Sequence, residues 1–102
     1  MDLVNIKNVD FKKAIEVLIE DYEIYDIRRD IYISYWKTNE HRNQGEATAY
    51  IPTRDTLEEI MYEAKKLLDF NEYACVEVLC KDEDYDETLY HYDGIEEKIL
   101  LY

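Results

Sequence analysis

Carboxylates are the residues in this sequence with the most evident chemical potential. Asp82, Glu83, Asp84, Asp86, Glu87, Asp93, Glu96 and Glu97 stand between Lys81 and Lys98 with no Lys or Arg among them. A second group runs through Glu16, Glu20, Asp21, Glu23 and Asp26 without a basic residue and reaches Asp30 beyond Arg28 and Arg29. Tyrosines are interleaved in both: Tyr22 and Tyr25 in one, Tyr85, Tyr90 and Tyr92 in the other. Such density costs stability through self-repulsion, so a surface that keeps it is expected to use it. Ionised carboxylates with exposed tyrosines suit a basic protein partner, because Tyr is enriched among interface hot spots.

Other chemistry is less well supported by spacing. Asp82, Asp84 and Asp86 would fill positions 1, 3 and 5 of a calcium loop, with Asp93 at position 12, but position 6 needs Gly and holds Glu87. His41, Cys75, Cys80 and His91 have no zinc-ligand spacing, so no metal site is expected. Cys75 or Cys80 with His91 would make a nucleophilic pair only if the fold joined them; a core thiol and a strand histidine is the preferred reading. Gly45 and Gly94 stand alone, which excludes the familiar phosphate-cradling loops. No acid/base pair stands out among 25 carboxylates. A non-enzymatic protein without a cofactor is expected.

Composition bounds the partner. The chain has 102 residues, 25 Asp+Glu against 12 Lys+Arg, and a net charge of −13. Hydrophobic residues make up 47% and there are 11 Tyr, too much apolar material for a disordered acidic tail. One domain suits the length. The charge disfavours direct binding to nucleic acid or an anionic membrane. The first residues lack a signal-peptide pattern, and no apolar run approaches the ~18 residues of a membrane span. Cys75 and Cys80, in one extended run, would sit about 16 Å apart on opposite faces, too far for a disulfide. Free thiols fit a reducing interior, so a cytoplasmic location is expected.

The elements that must carry these residues follow from periodicity. Asp10 caps a helix whose face is Phe11, Ala14, Ile15, Leu18 and Tyr22. Residues 30–37 and 46–51 alternate as two strands around a polar loop, each expected to show one face to solvent. A second helix enters at Pro52, with Asp55–Glu58 or Thr56–Glu59 as capping box and an apolar stripe of Leu57, Ile60, Met61, Ala64, Leu67 and Leu68. Asp55, Glu58 and Glu59 at its start, and Lys65 and Lys66 toward its end, match the helix dipole. Residues 73–80 form the strongest strand and 87–92 its partner; 95–102 fit either a strand or a helix. The expected class is α+β, in the order α-β-β-α-β-β plus a C-terminal element, with helices on one face of an antiparallel or mixed sheet.

In size, acidity and aromatic content the chain is similar to the small phage and mobile-element proteins that block restriction or CRISPR nucleases by imitating DNA. That likeness implies an anti-defence inhibitor of a nuclease or other nucleic-acid-binding protein; it rests on no shared motif, so no binding residues are carried over. The expected contact is Asp82, Glu83, Asp84, Tyr85, Asp86 and Glu87 with Asp93, Glu96 and Glu97, followed by Glu20, Asp21, Glu23, Tyr25 and Asp26. Two alternatives stand beside it. One is an adaptor or homodimer that pairs through a strand edge, supported by the apolar run Ile99-Leu100-Leu101-Tyr102. The other is a small-ligand binder with a Tyr-lined pocket.

Overall fold

The computed structural model describes residues 3–24, 30–36, 48–71, 74–82 and 84–101. Among them are six strands and two α-helices: β1 (Leu3–Asn5), α1 (Phe11–Asp21), β2 (Ile31–Trp36), β3 (Thr48–Tyr50), α2 (Leu57–Asn71), β4 (Cys75–Cys80), β5 (Glu87–Tyr92) and β6 (Glu97–Leu100). The strands form one antiparallel sheet in the order β1-β6-β5-β4-β2-β3. The expected α+β order holds, with β1 added in front and the undecided C-terminal element a strand. No helix among the described residues is long and apolar enough to cross a membrane.

Local rules set the helix starts. The Asp10 side chain accepts a hydrogen bond from the Lys13 N–H at 3.2 Å and opens α1. At α2 the cap is Thr56, whose Oγ1 accepts from the Glu59 N–H at 3.2 Å. Glu58 and Glu59 lie in its first turn as the dipole favours, but α2 runs on to Asn71, so Lys65 and Lys66 lie mid-helix and the last turn holds no basic residue. The dipole therefore explains the acids and not the lysines.

Both helices lie on one face of the sheet. Ala14, Ile15 and Leu18 from α1 and Leu57, Ile60, Met61, Ala64 and Leu68 from α2 meet Ile31, Ile33, Val76, Val78, Tyr90 and Ile99 in the core. Strand alternation sends Tyr32, Ser34, Trp36, Cys75, Glu77 and His91 to the other face. That face is not the solvent face expected for β2: Ser34 and Trp36 are buried, as are Cys75, Glu77 and His91. The alternation predicts the side of each residue correctly but not how far that side is covered.

Candidate functional site

Strand β4 has an acidic surface at its Cys80 end. There the Lys81 N–H donates to the Asp30 carbonyl at 2.8 Å, which joins the end of one acidic group to the start of the other. The Tyr32 hydroxyl donates to the Asp86 carboxylate. Asp82, Asp84 and Asp86 are exposed, Tyr85 is 66% exposed, and Glu87 is half-buried. Cys80 records the field they make. Burial pushes its thiol up to about 11, and the negative charges of Asp30, Asp82, Asp86 and Glu87 add to the rise. Tyr32 is pushed up to about 12 by burial and then by its bond to Asp86.

Three further acids of the second group, Glu20, Asp21 and Glu23, are exposed at the end of α1. The last turn of α1 contains no basic residue, so Glu20 and Asp21 face the negative end of the helix dipole. Unlike Glu58 and Glu59, they are not explained by helix electrostatics. Tyr25, Asp26 and Glu83 lie outside the described residues.

Asp93, Glu96 and Glu97 belong elsewhere. Strand β5 separates them from Asp86 by about 20 Å at ~3.3 Å per residue, so the expected continuous contact divides between two ends of the sheet. The same separation rules out Asp93 as the last ligand of a calcium loop. At that far end Asp93 Oδ1 accepts from the Ile95 and Glu96 N–H groups at 2.9 and 2.7 Å, around a turn in which Gly94 has φ +87°. Burial opposes ionisation of Asp93, but these N–H groups and His91 hold its carboxyl below the usual range. Glu96 pairs with Lys98 at 3.1 Å. Glu97 accepts from the Tyr90 hydroxyl and pairs with Lys65 at 3.3 Å. Asp93 and Glu97 are half-buried among these partners, whereas Asp82, Asp84 and Asp86 at the Cys80 end are exposed, with the Tyr32 hydroxyl on the Asp86 carboxylate.

The far end also brings together residues whose sequence spacing carries no signature. In the β4–β5 ladder Glu77 lies opposite His91, and Cys75 shares its face of the sheet. His91 Nδ1 lies 2.8 Å from Glu77 Oε2 and 3.5 Å from Cys75 Sγ. On the other side of the ring, Nε2 is 3.8 Å from Asp93 Oδ2. The fold thus joins Cys75 to His91, the condition set for a reactive pair. Cys75 is only 1% exposed, however, and Glu77 shares the same ring nitrogen. A nucleophile must be open to its substrate, which this thiol is not. The signal was available in part: positions 75 and 77 share a strand face, and a hairpin with 87–92 places 91 opposite 77.

The alternative readings meet different features. Ile99 and Leu100 are buried within β6, an interior strand, so the apolar C-terminal run largely fills the core; Leu101 is 47% exposed. Among the described residues the sheet edges, β1 and β3, have three residues each, a length that limits strand pairing. A surface groove between the helices and β5 is lined by Phe11, Met61, Tyr62 and Tyr90 with Lys65 and Glu97.

Comparison with protein-family models, curated proteins and solved structures finds no match for this chain.

Proposed function

We propose that this chain is a non-enzymatic acidic inhibitor or regulator that occupies the basic nucleic-acid groove of a partner protein, in the manner of an anti-restriction or anti-CRISPR inhibitor. The observation that carries the reading is the meeting, at the Cys80 end of β4, of acids from two segments far apart in sequence: Asp30 against Lys81, with Asp82, Asp84, Asp86 and Glu87 around it. The exposed Tyr85 among them supplies an apolar anchor at the centre of the charge. Nucleic-acid grooves are lined with cations matched to one phosphate charge per ~1.7 Å of duplex axis, so a dense acidic surface on a rigid sheet end competes for the same site. Glu20, Asp21 and Glu23, exposed at the end of α1, are a second acidic group for the same kind of partner.

The test is capture of partners from a host lysate on the immobilised protein at about 50 mM salt, with elution by a duplex oligonucleotide. A nuclease or other nucleic-acid-binding protein should elute with the oligonucleotide. Capture should fall at least about tenfold at ~500 mM salt, and likewise in an Asp82→Asn/Asp84→Asn/Asp86→Asn variant. Capture indifferent to salt, to the oligonucleotide and to these substitutions would overturn the reading.

A further inference from the structure

We propose that Cys75, Glu77 and His91 bind one zinc-class divalent ion on the face of the sheet opposite the helices, with Asp93 as the positioning residue behind His91. The potential ligand atoms of Cys75, Glu77 and His91 all lie within 4.8 Å of one another. Ligands bonded to zinc at ~2.3 Å (thiolate sulfur) and ~2.0–2.1 Å (imidazole nitrogen) in a tetrahedron lie about 3.6 Å apart, and a nitrogen and a carboxylate oxygen about 3.3 Å apart. The sulfur–nitrogen distance of 3.5 Å already has that value. The 2.8 Å nitrogen–oxygen distance is a hydrogen bond that must open by about half an ångström when an ion replaces the shared proton.

Convergence of thiol and carboxylate on a single ring nitrogen is the arrangement of ligands about a point. Sulfur, nitrogen and one carboxylate select a borderline-soft ion over calcium or magnesium, which take oxygen ligands. On binding, Cys75 loses its thiol proton to solvent and His91 keeps its proton on Nε2, turned toward Asp93. A carboxylate behind a ligating histidine fixes its tautomer and orientation, and Asp93 Oδ2, 3.8 Å from Nε2, must close by about 1 Å to accept that proton. Water completes the coordination. A cleft lined by Leu3, His91, Asp93, Glu96 and Lys98 reaches the Nε2 side of the histidine and Asp93 from outside. Lys98, opposite His91 in the β5–β6 ladder, has its ammonium drawn to Glu96.

The full chain, stripped with a chelator, is titrated with cobalt(II) and followed by absorption. One equivalent should give a thiolate-to-cobalt charge-transfer band in the near ultraviolet, erased by excess zinc. There are two cysteines in the chain, so retention of the band in Cys80→Ser assigns it to Cys75 even if Cys75→Ser does not fold. Asp93→Asn should weaken cobalt binding about 10- to 100-fold while the band persists at saturation. Glu77→Gln and His91→Gln should weaken it further. Absence of the band in the wild type, or its loss in Cys80→Ser, overturns the proposal.

Discussion

The two ends of β4 hold the same side chain in opposite company. Cys80 packs with the helix-side core, donates to the Lys81 carbonyl at 3.8 Å, and has the charges of Asp30, Asp82, Asp86 and Glu87 around it. Cys75, on the other face, has an imidazole within 3.5 Å and a carboxylate sharing that ring nitrogen. At the first end burial and then the surrounding acids raise the thiol, and the acids repel one another beside it. At the second end an imidazole, a thiol and a carboxylate meet within the protein. One end turns carboxylates toward solvent and the other holds one against a buried ring.

Substitutions can separate the two ends. The largest effect on stability belongs to the Cys75 end. Glu77→Ala removes the nearest partner of a buried imidazole and should lower the unfolding free energy by about 1–3 kcal/mol in urea titrations. A loss below about 0.5 kcal/mol would mean that the cluster is not held together as described. A smaller effect is expected from alkali at the Cys80 end. Burial and the surrounding acids raise the folded thiol from 9.0 to about 11, so the unfolded chain loses the proton first. The stability this shift provides is fully present below pH 9 and is lost as pH rises toward 11. The wild type should therefore lose stability relative to Cys80→Val across that window. Parallel pH curves for the two proteins would remove the evidence for a concentrated acidic field.

The smallest effect is that of the exposed acids on folding. Asp82→Asn/Asp84→Asn/Asp86→Asn should change stability by no more than about 0.5 kcal/mol, in the stabilising direction at low salt, because repulsion is relieved. Asn at position 86 keeps an acceptor for the Tyr32 hydroxyl. Denaturant midpoints for this variant, set beside its loss of partner capture, would show whether the surface serves binding alone.

Much of the fold was legible because its elements obey local rules. Asp10 caps α1, the α2 stripe is buried apart from the half-buried Leu67, and β5 covers residues 87–92 as expected. Long-range pairing was not legible. β1 has three residues and takes its place from β6. Residues 97–100 become a strand because Tyr92 and Tyr90 stand opposite Glu97 and Ile99. The candidate sites divided in the same way. Counting acids found the residues of the acidic surface but merged two ends of the sheet into one. Motif spacing passed over Cys75, Glu77 and His91, because a cluster built across a β-ladder is encoded by register, not by separation along the chain.

The pairing of Leu3 with Leu100 carries a consequence for the order of folding. β6 is laid beside β5 through a short turn, a local event. β1 can join β6 only by closing a loop of almost the whole described chain, and such non-local contacts form slowly. Until they do, β6 is an open edge built from Glu97, Lys98, Ile99 and Leu100, and edges of this kind recruit other chains. Lys98 within that edge is a charge of the kind that discourages such recruitment while the first strand is still arriving.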